Sequence, residues 1–172
     1  MLWGVVVAVL TGGFIAAMGP INAALSERVG AWGMVSLVHL VGLLTAALGL
    51  LLFAARGRPI AGGPESRYLL WSAAALLAAA LVWLLVGGSL RTAPPYGLVG
   101  GVLGVLVVVG TVAAIQRLGV FTALTLVVSS QLVTALLIDA FGWFGQAVVP
   151  VTPLRLVGLL SVLIGVALVL RG

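Results

Sequence analysis

The chain is a succession of long apolar runs divided by short polar breaks. Six runs stand out, over residues 2–19, 32–55, 68–90, 96–116, 120–141 and 154–170. Each is close to the roughly 20 residues that a helix needs to cross a bilayer. The breaks at 20–30, 56–67, 91–95, 117–119 and 142–153 hold Pro, Gly or Arg. Connections this short make consecutive helices antiparallel neighbours. The pattern predicts an all-α integral membrane protein, a single transmembrane domain over residues 1–172. Its bundle has six helices, or five plus one non-spanning segment if 68–90 lies at the interface.

One run departs from plain hydrophobicity. The stretch V-F-T-A-L-T-L-V-V-S-S-Q-L-V-T-A-L-L-I-D-A-F-G over 120–142 is long enough to span, yet it carries Thr122, Thr125, Ser129, Ser130, Gln131, Thr134 and Asp139. Hydrocarbon penalises such groups, so they turn toward protein or a water-filled cavity. At 100° per residue Ser130, Gln131 and Thr134 share one face, and Asp139 follows Gln131 two turns on. A helix apolar enough to insert but polar along one stripe is expected to line a site. Ser and Thr can instead bond back to their own helix, so a packing role stands beside the site role for Ser130 and Thr134. Gln131 and Asp139 are read as functional by default.

Composition narrows the class. The chain is 63% hydrophobic and 6% charged, against about a quarter charged in soluble domains, so it is a membrane protein with no room for a soluble domain. Cysteine is absent, which excludes disulfides and thiolate metal sites. The formal charge of +5 comes from eight Arg scattered singly, which is not a nucleic-acid surface. There is no basic start and no A-x-A site after the first run, so that run is expected to stay as a helix. An inside N-terminus with six crossings leaves Arg56, Arg58, Arg67, Arg117 and Arg171 inside and Arg28, Arg91 and Arg155 outside. The positive-inside rule then places both termini inside by a margin of two. So small a margin suggests a chain able to insert both ways and pair with its inverted copy.

The remaining runs add candidates. The first meets Pro20 and Asn22; proline disfavours helical geometry at the residue before it. The helix is expected to end or kink there, with Asn22 either beside a broken helix end that contacts substrate or capping the next turn. The second run holds His39, whose imidazole must face inward and find a partner. Free imidazole titrates near neutral pH, so His39 is either a proton site or a structural group bonded to a neighbouring helix. Gly42 and Ala46 form a small-x-x-x-small step. Run 68–90 is Ala/Leu with Trp at intervals and shows no site. Run 96–116 opens with Gly97, Gly100, Gly101 and Gly104, two overlapping G-x-x-x-G steps that suit close backbone packing. The last run reads as packing. One internal echo stands out: Arg28-Val29-Gly30-Ala31-Trp32 opens the second run, and Arg117-Leu118-Gly119-Val120-Phe121 opens the fifth. Halves of three segments each would be oppositely oriented, the plan of many secondary transporters.

Several stretches resemble the YdcZ-like family, small bacterial inner-membrane proteins of the drug/metabolite transporter superfamily. They are P-I-N-A-A-L-S-E-R-V-G, S-L-V-H-L-V-G, Y-G-L-V-G-G-V-L-G, R-L-G-V-F-T-A-L-T-L-V-V-S-S-Q-L and L-L-I-D-A-F-G-W-F-G. The resemblance covers all but about residues 60–92. It implies a drug/metabolite-transporter-like fold whose members work as paired half-size chains or fused double-length ones. Its recurring polar positions fall on Asn22, His39, Gln131 and Asp139, and its glycines on Gly42, Gly100, Gly101, Gly104, Gly119 and Gly142. Two departures are visible: typical members look like five-helix chains, with 68–90 the extra segment here, and the glycine usually preceding the family's glutamine is Ser130. The small multidrug exporters of the same superfamily carry a glutamate in the first helix, and this first helix has no acid.

Residues and resemblance together predict a small-solute transporter, an exporter working by alternating access in a bacterial inner membrane. Asn22, His39, Gln131, Asp139, Ser130 and Thr134 are the expected solute or proton pathway; Gly42, Gly97, Gly100, Gly101 and Gly104 are the expected helix-packing positions. The alternative is a non-transporting membrane subunit whose polar groups only fix assembly. An enzyme is disfavoured by one His, three acids, no H-E-x-x-H and no G-x-S-x-G. No metal, cofactor or nucleic acid is expected. The partners are lipid, an unnamed solute and a second chain, in a homodimer, parallel or antiparallel, or a pair with a related chain.

Overall fold

A computed structural model describes residues 1–57, 65–87 and 97–171. Among them the chain is helical: α1 (Leu2–Ala55), α2 (Glu65–Gly87), α3 (Gly97–Leu118), α4 (Val120–Phe141) and α5 (Pro153–Val169), with a 3₁₀ turn at Trp143–Gly145. Among the described residues these are five α-helical elements, and the count of six is not confirmed. The first two expected runs lie in one element, α1, whose only non-helical residue is Gly30 (φ 75°, ψ 163°). The expected stop at Pro20 does not occur, and Asn22 caps nothing; both sit inside the helix. A membrane helix tolerates an internal proline, since only one backbone bond is lost and neighbouring groups can re-satisfy the freed carbonyl. The break falls on Gly30, the last residue of the expected break at 20–30, because torsions of this kind are essentially open to glycine alone.

Among the described residues three helices are long and apolar enough to cross a membrane: Leu2–Ala55, Val99–Leu118 and Val120–Phe141. Tyr68–Ala79 and Pro153–Val169 are apolar but shorter. Of the expected run 68–90, residues 88–90 lie outside the described ones, as do most of the expected break at 56–67 and all of that at 91–95. Large apolar side chains are exposed along the helices, among them Val108, Phe121, Ile164 and Leu168. Lipid is the solvent that makes such exposure stable.

The chain divides into two compact units. One joins Met1–Ala24 to Leu106–Gly172. Its core gathers Ala8, Ala114, Ala123, Leu126, Val127 and Val166. Alanine dominates because helices in lipid associate by close backbone approach rather than by burying bulk. The same unit holds the turn after α4. Gly142 closes that helix in a left-handed conformation, its N–H donating to the Ile138 carbonyl. The chain then folds back so that the Val149 amide donates to the Asp139 carbonyl at 2.9 Å. Thr152 caps α5, accepting from the Arg155 amide at 3.3 Å, with Pro153 in the first turn. The second unit is Leu25–Val105. Ala47 and Ala73 are its buried small residues, and Gly101 of α3 lies against Val38, Val41 and Gly42 of α1.

Candidate functional site

Within the first unit the polar stripe of α4 meets glycines. A Cβ placed on Gly12 would strike the Ser130 hydroxyl and the Val127 carbonyl oxygen, and would lie 2.8 Å from the Gln131 amide nitrogen. A Cβ on Gly13 would lie 3.7 Å from Thr134 Oγ1. The small residues of α1 therefore cover the face formed by Ser130, Gln131 and Thr134. The hydroxyls are satisfied locally. Ser130 Oγ donates to the Val127 carbonyl at 3.0 Å, and Thr134 Oγ1 to the Ser130 carbonyl at 2.9 Å. Ser129, buried, donates to the Thr125 carbonyl at 2.6 Å, and Thr125 to that of Phe121 at 2.8 Å. Back-bonding of this kind lets a hydroxyl sit in an apolar helix without a partner elsewhere.

Asn22 behaves otherwise. Its Oδ1 is buried and finds no hydrogen-bond partner in the protein. An orphaned buried acceptor costs about 1–3 kcal/mol, so packing alone does not account for it. Thr11 was not singled out by the sequence. It is 1% exposed, donates to the Val7 carbonyl at 2.7 Å, and stands where a Cβ on Gly110 would fall. Its only sequence signal is a hydroxyl beside Gly12-Gly13 in an otherwise apolar run.

Asp139 ends the stripe. It faces Arg155 at 3.7 Å, with both side chains nearly half exposed. The pair closes one end of a groove of about 280 Å³ whose walls are Leu132, Ala135, Leu136, Gly158, Leu159 and Val162. A partly hydrated ion pair contributes about 0–1 kcal/mol, so either charge can exchange its partner for a solute of matching sign at small cost.

His39 belongs to the second unit, apart from the other polar candidates. It is exposed, and its Nδ1–H donates to the Val35 carbonyl at 2.8 Å. The bond is to its own helix, not to a neighbouring one, and it does not involve Nε2. Gly42 and Gly101 form the closest helix approach of this unit. A Cβ on Gly42 would lie 3.4 Å from the Gly101 carbonyl oxygen, and one on Gly101 only 2.6 Å from that of Val38. Gly100 is buried and Gly104 half-buried on the same helix, which Gly97 opens. Among the described residues no group of three His, Asp or Glu side chains is placed to hold a metal ion.

No curated protein and no solved structure shows a significant match to the chain. A family model does match, over residues 65–168. That range takes in α2, so the segment set aside in the sequence resemblance lies inside the match and is no foreign addition to it. More than half of the chain is covered, and the chain belongs to the DMT_YdcZ family, described as "Putative inner membrane exporter, YdcZ".

Proposed function

We propose that the chain exports a small organic solute across the bacterial inner membrane, by alternating access and as a paired assembly within the drug/metabolite transporter superfamily. The observation that carries the reading is the Asn22 carbonyl oxygen, buried without a partner in the membrane span of a protein from an exporter family. A group kept at that cost is explained by a ligand that pairs with it during the cycle. Gln131, with Ser130 and Thr134 beside it on α4, is a second polar part of the pathway. Asp139 gives the groove end a preference for cationic solutes when Arg155 is displaced. His39, with Nε2 unused by its own helix, is the candidate proton carrier.

The test separates stability from transport. Asn22→Leu removes the orphaned acceptor and is expected to raise stability by about 1–2 kcal/mol, read by unfolding in mixed micelles. The same variant should lose flux in proteoliposomes challenged with a panel of cationic, neutral and anionic small solutes. Flux at the wild-type rate would sink the assignment of Asn22. The second reading, a non-transporting subunit, draws on the back-bonded hydroxyls and the glycine cover over the stripe. It predicts no flux for any solute in the panel from the purified wild-type chain, and stable co-purification of another membrane protein.

A further inference from the structure

Gly30 and Gly119 stand 89 residues apart and have the same backbone torsions, φ 75° and ψ 163° against φ 78° and ψ 163°. Each is a single non-helical residue with helix on both sides. Each follows an arginine by two positions and precedes an aromatic by two, Arg28 and Trp32 against Arg117 and Phe121. The same offset pairs identical residues further on: Leu37-Val38 with Leu126-Val127, Leu43 with Leu132, Thr45-Ala46 with Thr134-Ala135, and Leu48 with Leu137. Side-chain bonds repeat as well. Thr45 Oγ1 donates to the Val41 carbonyl at 2.8 Å, and Thr134 Oγ1 to the Ser130 carbonyl at 2.9 Å.

The tightest helix contacts obey the same offset with the roles exchanged. Gly12 lies against the Val127 carbonyl and the Gln131 amide; Gly101 lies against the Val38 carbonyl and the Gly42 amide. Gly12 corresponds to Gly101, Val38 to Val127, and Gly42 to Gln131. The first helix of each copy thus packs on the second helix of the other, through one contact made twice.

Helix directions follow from neighbours inside each unit. In the first, Gly4 faces Arg117 and Leu118, and Thr11 faces Gly110, so the start of α1 runs against α3. Gly12 and Gly13 then meet α4 at Val127 to Thr134, so α1 runs along α4. The chain therefore reverses at Gly119. Helix, the same glycine torsions, then helix again is the same local geometry, so it also reverses at Gly30. In the second unit Gly101 meets α1 at Val38 to Gly42, and Gly42 meets Gly101 and Val105, so residues 31–55 run along α3. The first copy goes across and back, and the second goes back and across. Returning the chain from residue 55 to the start of α3 takes one more crossing, and α2 has 23 residues for it, about 34 Å of helix.

We infer that residues 8–53 and 97–142 are an inverted duplication in the membrane, joined by an α2 that spans it. Gly30 and Gly119 lie at opposite faces. Under the transport reading, on which this one clause rests, a state open to one face has a counterpart of like construction open to the other. The topology itself does not depend on transport.

The chain has no cysteine, so introduced thiols can be counted. Glu27 and Gln116 are exposed and stand three residues before the two glycines. In sealed right-side-out vesicles, the double variant Glu27→Cys/Gln116→Cys is treated with a membrane-impermeant maleimide of large mass. The inverted arrangement gives one tag per molecule, whichever way round the chain inserted, and two after detergent. A population carrying two tags, or two and none, in sealed vesicles overturns it. Ala31→Cys/Val120→Cys repeats the count at exposed, corresponding positions with every charge left in place. The readout is a mass shift, so a chain that transports nothing still answers it.

Discussion

Replacing Gly12 by alanine tests the contact between α1 and α4 directly. The added methyl would fall on the Val127 carbonyl oxygen and the Ser130 hydroxyl, and 2.8 Å from the Gln131 amide nitrogen. The hydroxyl can rotate away by giving up its bond to Val127, but the other two atoms are backbone. The helices must part by roughly 1 Å to regain ordinary contact, and a gap of that size forfeits about a quarter to a half of each contact across the crossing. Overpacking typically costs about 1–3 kcal/mol, and rigid backbone neighbours put this site at the upper end. Alanine returns about 1 kcal/mol of helix propensity. The net loss is about 2 kcal/mol, or about 30-fold in the folding equilibrium. Intrinsic tryptophan fluorescence, followed as a denaturing detergent is titrated into mild-detergent micelles, measures it. Gly49→Ala is the control: nothing lies within 4 Å of its Cβ position, so it should be neutral or stabilising. Gly101→Ala, whose methyl would lie 2.6 to 2.8 Å from three α1 atoms, should lose about as much as Gly12→Ala. Unfolding of Gly12→Ala at the same detergent fraction as Gly49→Ala would refute the close approach.

Further outcomes follow from the same geometry. Gly30→Ala and Gly119→Ala each force a side chain into torsions essentially reserved for glycine, at about 1–3 kcal/mol; the two should fall by similar amounts in the same titration, and a silent variant at either would break their equivalence. Asp139→Asn removes a half-exposed ion pair, so stability should change by less than about 1 kcal/mol while export of cationic solutes in proteoliposomes falls. Unchanged cation flux would take Asp139 out of the pathway. His39→Gln should leave the fold intact, since the Val35 carbonyl keeps its place in the helix; its effect is expected in the pH profile of flux, and a profile that coincides with wild type removes His39 as a proton carrier.

Membrane character and helical class were legible because hydropathy acts over whole runs, and the bounds of α4 at Val120–Phe141 matched the sequence reading. Within the expected break at 20–30, the structure uses Gly30 rather than Pro20 for a local reason. Pro20 is a strong signal in water, but in lipid the alternative to a helix is an exposed backbone, so the helix continues until Gly30 offers torsions that no other residue adopts easily. Back-bonding of Ser130 and Thr134 was foreseeable from residue type, whereas the orphaned oxygen of Asn22 was not, because it depends on what surrounds it. The pairing of Asp139 with Arg155 is settled by the turn after α4, which no periodicity encodes.

The two copies differ at one stretch where polar chemistry concentrates. Residues 39–42 read His-Leu-Val-Gly, and their counterparts 128–131 read Val-Ser-Ser-Gln. At the contact in the second unit glycine faces glycine, Gly101 against Gly42, and no side-chain hydroxyl intervenes. At its counterpart Gly12 faces Ser130 and the Gln131 backbone, so the same crossing carries hydrogen-bonding groups at its edge. Pure packing would be served equally well by two apolar crossings, because association in lipid needs small residues rather than amides. At these four positions the hydroxyls and the Gln131 amide stand in the second copy and His39 in the first, while elsewhere the first copy carries Thr11, Asn22 and Thr45. The glycines maintain both crossings, and Ser130 and Gln131, which break the repeat beside one of them, are left to act on a solute.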